Sequence, residues 1–323
     1  MKQVACLTPR TIRIDPLPGS EPYDNVRTMR VRQQHDGLTL IDFLHQLHPP
    51  TPPQHWLTWI AEAAITLDGH PVVTVQTVHA GECFNHRMPQ TVEPDVACQI
   101  EMVHEDDAIL VVNKPAPLPV HPSGRFNRNT LTEFLRPHYP EQRLRIAHRL
   151  DANTTGLVLL CRTHEAAGFV QPQFEQRTVA KAYVALVRGI IPWDRHRCES
   201  PIGPAAELDG LADTRGARIV HPDGQPAETH FEVIRRLANQ TTLVKAVPIT
   251  GRTNQIRVHL WSLGFPIQGD PLYQCDERLG KQQTLAVGQS PMCLHARQLT
   301  FTHPGTRQTV TFTQPASFEN EVL

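Results

Sequence analysis

Apolar and polar positions change rhythm along this chain, and the changes divide it. Leu40, Phe43, Leu44 and Leu47 recur at helical spacing and stop at His48-Pro49-Pro50, which predicts a short helix. A second helix fits 54–63. Ile65-Thr66-Leu67 and Val72-Val73-Thr74-Val75 flank Asp68-Gly69, a hairpin signal because both residues accept the positive φ of a tight turn. Ahead of these elements residues 1–36 are polar and punctuated by Pro16, Pro18, Gly19 and Pro22, as expected of an extended arm. Residues 89–97 read as a linker. Beyond it, short apolar runs predict strands over 108–112, 156–161, 183–187, 229–234, 242–247 and 309–313, with helices near 130–136 and 254–263. Many short strands and few helices of crossover length imply an α+β fold with a mixed, largely antiparallel sheet. The expected organisation is an arm over 1–36, a small domain over 37–88 and a large domain over 98–323.

Composition narrows the class. With 323 residues, 40% of them hydrophobic and 20% charged, the chain has apolar side chains for one large core and one smaller one. Its seven cysteines are scattered without a Cys-x-x-Cys pair, so neither a disulfide framework nor a metal site is indicated, and they read as reduced thiols of a cytoplasmic protein. No apolar run approaches membrane-spanning length, so no membrane contact is expected, and the expected state is a monomer. The 31 Lys+Arg against 32 Asp+Glu give a net charge of -1, whereas nucleic-acid binders are usually basic. Any RNA surface must therefore be local, and residues 40–88, with one basic and four acidic residues, are a poor place for it.

Candidate chemistry concentrates in four segments. His148-Arg149-Leu150-Asp151 followed by Ala152-Asn153-Thr154-Thr155-Gly156 and an apolar run presents a carboxylate on a loop at a strand edge, beside two basic side chains. Asn113-Lys114-Pro115 through Val120-His121-Pro122 follows a predicted strand, and its prolines stiffen a loop. Tyr183 alternates with Ala185 and Val187 on one face of a strand in Lys181-Ala182-Tyr183-Val184-Ala185-Leu186-Val187. In Thr250-Gly251-Arg252-Thr253-Asn254-Gln255-Ile256-Arg257, Thr253 is expected to cap a helix closed by Gly264, with Ile256, Leu260 and Leu263 inward and Arg257 and Trp261 on another face. Segments 264–273 and 294–301 read as scaffold. Phosphate-loop, dinucleotide, zinc-protease and serine-hydrolase motifs are missing from the sequence.

In their order, these segments resemble the catalytic motifs of the RluA-type pseudouridine synthases, over about residues 98–316. The resemblance implies a catalytic domain of pseudouridine synthase type, an RNA substrate, ribosomal RNA favoured over transfer RNA, and a reaction without redox change or hydrolysis that needs no cofactor and no metal. It makes Asp151 the essential residue, acting on the flipped nucleotide as a nucleophile or by taking a ribose proton. Tyr183 would cover the base, and Arg257 would pair with Asp151; a guanidinium nearby favours the charged form of an acid in a covered cleft. Substrate contacts are expected from Arg149, His148, Arg252, Asn254, Lys114 and His121. Asn254 stands where the family commonly has histidine and Thr155 where it has serine, so no proton-transfer role is open at Asn254. Helix, helix and hairpin over 37–88 resemble an S4-type RNA-binding module, but the second helix offers His55 and Glu62 and no Lys or Arg. Two rival functions are a non-catalytic RNA-binding or ribosome-assembly factor on the same fold and a two-carboxylate glycoside hydrolase, which needs a second catalytic acid.

Overall fold

The structure, a computed structural model, describes residues 10–49, 51–205 and 216–319. Cys6 and the first nine residues of the expected arm lie outside this range. In chain order come β1 (Arg10–Arg13), β2 (Tyr23–Arg30), α1 (Leu40–Leu47), α2 (Pro53–Ala61), β3 (Ile65–Leu67), β4 (His70–Pro71) and β5 (Cys83–Thr91). The larger part follows with β6 (Gln99–Glu105), β7 (Ile109–Lys114), α3 (Leu131–Leu135), β8 (Arg145–Ile146), β9 (Thr155–Cys161), α4 (His164–Glu175) and β10 (Ala180–Arg188). It ends with β11 (Arg195–Cys198), β12 (Ile202–Pro204), β13 (Arg218–Val220), β14 (Thr229–Leu237), β15 (Thr241–Pro248), α5 (Gln255–Ser262), β16 (Leu294–Thr302) and β17 (Thr309–Thr313).

The chain separates into two units, residues 19–93 and the remainder, so the borders differ from those expected. Arg10–Arg13 is not a free arm: it adds β1 antiparallel to β6, Ile12 opposite Ile100, because an edge strand's N–H and C=O groups need partners. Residues 23–30 form β2 of the small unit, paired with β5, and β5 runs three residues into the expected linker. In the small unit the strands lie in the order β2-β5-β3-β4, under α1 and α2, around Leu40, Phe43, Trp56, Ile65 and Phe84. Asp68 and Gly69 take φ of 50° and 83° and close the hairpin as expected. The strand expected over 72–75 does not form. Pro71 ends the ladder, having no N–H to give, and Val73 and Val75 are exposed.

In the large unit the sheet runs β1-β6-β7-β9-β16-β10-β15-β14-β11, every described pairing antiparallel except β9 with β16. Neighbouring residues of the central strands point to opposite faces. Leu110, Val112, Val158 and Leu160 meet Leu131, Phe134 and Leu135 of α3 on one side. Ile109, Val111, Leu157 and Leu159 meet Ala166, Ala167 and Val170 of α4 on the other. Burial on both faces explains the unbroken apolar runs. The apolar spacing does not announce α4, which buries only small residues and Val170 and carries Pro172 inside it; its start is fixed by Thr163, whose hydroxyl accepts from the Ala166 N–H at 3.0 Å.

One polar knot ties the β6–β7 turn to the end of β16. Asp106 accepts the Ala108 and Ile109 N–H groups on one oxygen at 2.8 and 2.9 Å, and lies 2.9 Å from Nε2 of both His104 and His303 on the other. The three side chains have the make-up of a metal site, yet His303 Nδ1 accepts from the N–H groups of Gly305 and Thr306 at 3.2 and 3.1 Å, so its proton sits on Nε2 and donates to Asp106. That tautomer leaves no lone pair for a cation. Burial works to raise the Asp106 carboxyl, but the bonds from His104, Ile109 and Ala108 and the electrostatic pull of His303 outweigh it and hold it well below the usual carboxylate range. A depressed carboxyl stabilises the fold above its unfolded pKa and loses that contribution as pH falls below about 4. Asp106→Ala should therefore cost about 2 kcal/mol at neutral pH, and the gap to wild type should close as unfolding is followed down to about pH 2. Equal stability of the two proteins at pH 7 would refute the role of the knot.

Candidate active site

Asp151 stands on a turn before β9, closed by the Thr154 N–H donating to the Asp151 carbonyl at 3.1 Å. Five hydrogen bonds hold this turn. The Leu118 N–H and the Lys114 ammonium both donate to the Ala152 carbonyl, at 2.9 and 3.2 Å. Asn153 is buried, donating to the Gln283 carbonyl at 2.7 Å and accepting from the Leu285 N–H at 2.9 Å. Thr155 Oγ1 meets His295 Nδ1 at 2.8 Å. Gly156, with φ of +111°, packs so closely on β16 that a Cβ would come within 2.5 Å of the Ala296 carbonyl oxygen, so only glycine fits after the Thr-Thr pair.

Arg257, only 4% exposed on α5, reaches this turn. Its Nη1 donates to Asp151 Oδ2 at 3.2 Å, while Nε and Nη2 make a two-pronged bond to Asp270 at 2.7 and 2.9 Å. Asp270 is fully buried and its Oδ1 also accepts the N–H groups of Leu272 and Tyr273. The guanidinium lies 4.9 Å from the centre of the Tyr273 ring. Burial opposes the Arg257 charge, but Asp270 and then Asp151 more than compensate and raise its pKa above the ordinary range. The helix starts differently from expectation. Asn254 at φ 58° is its first flanking residue, in place of a Thr253 cap, and a buried Gln255 holds the preceding loop by bonds to Thr250, the Arg252 N–H and the Glu228 carbonyl. Gly264, φ +84°, closes the helix as expected.

Tyr183 on β10 stands opposite Ala296 on one neighbouring strand and Ala246 on the other and packs against both flanking apolar clusters. Burial, and then the charge of Asp151, raise its phenol above the ordinary value, so it stays protonated at neutral pH. Arg149 is exposed beside His121, whose pKa is lowered by burial and by Arg149. Arg252 donates Nε to the Pro226 carbonyl at 3.0 Å and is half-buried.

Three expected substrate contacts are placed elsewhere. Lys114 is fully buried, and its ammonium donates to the carbonyls of Pro115, Leu118 and Ala152; burial pushes it down to about 7, with Asp151 working against that. It is a strut under the Asp151 turn. His148 stacks on Phe174 at 4.8 Å and its Nε2 accepts the Leu159 N–H at 3.2 Å, while burial lowers its pKa to about 3. A neutral ring spent on a backbone bond is packing, not a phosphate contact. Asn254 bridges Arg257 Nη1 and the Tyr273 hydroxyl at 2.9 and 3.0 Å, so it positions the arginine. The residue that sequence reasoning missed is Asp270, placed with the scaffold; a lone acid in Gly269-Asp270-Pro271 carries the signature of an ordinary turn.

A carboxylate on a pinned turn, a buried guanidinium behind it and a protonated tyrosine on a central strand form the candidate site. The family model for RNA pseudouridylate synthase matches residues 108–262, which include Asp151, Tyr183 and Arg257. A ribosomal large subunit pseudouridine synthase D from Nitrosomonas europaea is 35% identical over 92% of this chain and 86% of its own. A ribosomal large subunit pseudouridine synthase C from Vibrio vulnificus is 38% identical over 66% of this chain and 65% of its own. Among solved structures, human RNA pseudouridylate synthase domain containing 1 superposes with a TM-score of 0.53 at 26% identity, covering 72% of this chain and 87% of that one. Fold, motif order and extent of similarity agree, and the chain belongs to the RluA-type RNA pseudouridine synthases.

Proposed function

We propose that this enzyme isomerises specific uridines of structured ribosomal RNA and that Asp151 is its catalytic carboxylate. The observation that carries the assignment is the chain Asp270–Arg257–Asp151, in which a fully buried acid fixes an arginine that in turn meets a carboxylate still 34% exposed to the cleft. The reaction breaks the N1–C1′ bond, turns the base and joins C5 to C1′, with the C5 proton leaving and N1 gaining one. Asp151 serves it as a nucleophile at C1′ or as a base toward the ribose; both routes need a carboxylate oxygen held at the sugar, and Arg257 positions it through the Nη1–Oδ2 bond. The Tyr183 ring offers a face for the extruded base. Flipping a base costs least in loops, so the target lies in or beside a stem-loop.

The ribosomal substrate is supported by the names of the relatives. A small S4-like unit is supported by the order α1, α2, hairpin, but residues 19–93 hold four arginines against eight Asp and Glu, so phosphate contacts are assigned to the large unit. A cytoplasmic location is the accompanying reading, supported by the six described cysteines, all free. The glycoside-hydrolase alternative loses ground because Asp270, the second acid at Arg257, is sealed from the cleft.

Asp151→Asn should keep RNA affinity while isomerisation falls by at least about 10³-fold, since an amide neither attacks nor accepts a proton at neutral pH. Turnover within tenfold of wild type would remove Asp151 from the chemistry. Arg257→Met should leave Asp270 buried without its cation, costing about 3–5 kcal/mol in denaturant unfolding. In the folded fraction, turnover should drop by about 10–100-fold with little change in RNA affinity. Normal turnover with weakened, salt-sensitive binding would make Arg257 a phosphate contact instead.

A further inference from the structure

Lys181 lies two residues before Tyr183 on β10, roughly 7 Å along the strand. It lines a narrow crevice with Tyr183, His148 and Gln298, and its Nζ comes within 4.0 Å of where a side chain on Gly251 would begin, in the loop that leads to Arg257. The crevice thus adjoins Tyr183, and the loop through Gly251 that leads to Arg257 lies beside it. Within it the ammonium is only partly exposed. Among the described residues no carboxylate lies within ion-pair distance of Lys181 and no group accepts its protons. Two other lysines differ: Lys114 has three carbonyl acceptors, and Lys245 has Glu232 at 3.9 Å. The one charged neighbour acting on Lys181 is another cation, Arg177, and burial together with that repulsion lowers its pKa. A half-buried cation without an anion is unfavourable in the free protein and would gain from one that arrives with the substrate.

We propose that Lys181 binds a backbone phosphate of the RNA strand beside the extruded uridine, fixing where the nucleotide enters the Tyr183 side of the cleft. The inference rests on the reading of that cleft as an RNA site. Lys181 is a substrate-positioning residue and takes no part in bond making. An ammonium acts as a point charge toward phosphate, so arginine should replace it in part and methionine should not.

The test uses the full-length protein with an unmodified transcript of large-subunit ribosomal RNA, comparing wild type, Lys181→Met and Lys181→Arg. Affinity is measured across a salt series and pseudouridine formation across RNA concentration. Lys181→Met should weaken binding about tenfold and flatten the slope of log affinity against log salt by about 0.7–1, with KM rising far more than kcat falls. Lys181→Arg should restore most of the slope. An unchanged slope in Lys181→Met, or a fall in kcat alone, overturns the proposal. Should methionine prevent folding, as seen in thermal melts, the arginine variant decides: a wild-type slope supports the phosphate contact, and a slope lowered as for a lost contact refutes it. Wild-type protein that binds this RNA without salt dependence refutes the RNA reading of the cleft itself, an outcome distinct from a slope that mutation does not move.

Discussion

The buried guanidinium of Arg257 is the group around which the candidate site is arranged. It has two anionic partners of different kinds: Asp270, sealed in the core and bonded through both oxygens, and Asp151, facing the cleft through a single bond. At an effective dielectric of about 20, a contact near 4 Å is worth about 4 kcal/mol, enough to offset moderate burial of one charge. With Asp270 saturated by Arg257 and by the N–H groups of Leu272 and Tyr273, the arginine cannot swing away to solvent. Its remaining nitrogen, Nη1, donates to Asn254 and to Asp151. Tyr273 below the guanidinium and Asn254 beside it complete a cage whose open side is Asp151.

The opposite wall is built from backbone. Asp151 contributes little to its own placement; Lys114, Asn153 and Gly156 fix the turn through carbonyls, N–H groups and a close strand approach. Cationic side chains near the site therefore divide by burial. Lys114 serves the protein, whereas Arg149 stands exposed to solvent. The charge of the whole chain, near neutral, conceals this local distribution.

How much of this was legible in the residues depends on the range of the forces involved. The central strands were readable because double-sided burial writes an apolar run, and the α5 helix because Ile256 and Leu260 keep its period and Gly264 ends it. That Asp151, Tyr183 and Arg257 lie together was readable through the order of their motifs. Three things were not. α4 depends on a cap and a sheet face to rest on more than on its own pattern, and β1 belongs to the large sheet through pairing with residues far along the chain. The direction in which His148 and Lys114 point is set by tertiary packing, so their polarity suggested a substrate where the fold uses them internally. Asp270 could not be distinguished from a turn acid, since its partner lies across a loop and only burial reveals its weight.

The claim that Asp270 acts on catalysis only by fixing Arg257 has a direct measurement. Asp270→Asn keeps the side chain's size but removes the charge and places a donor against the guanidinium, so the arginine loses its anchor while Asp151 and Tyr183 remain untouched. Single-turnover pseudouridine formation, measured at saturating RNA on protein shown by thermal melt to be folded, should fall by about 10–100-fold with RNA affinity within about twofold of wild type. A folded Asp270→Asn enzyme that turns over at the wild-type rate would contradict the account, because Asp151 would then be organised without the buried pair.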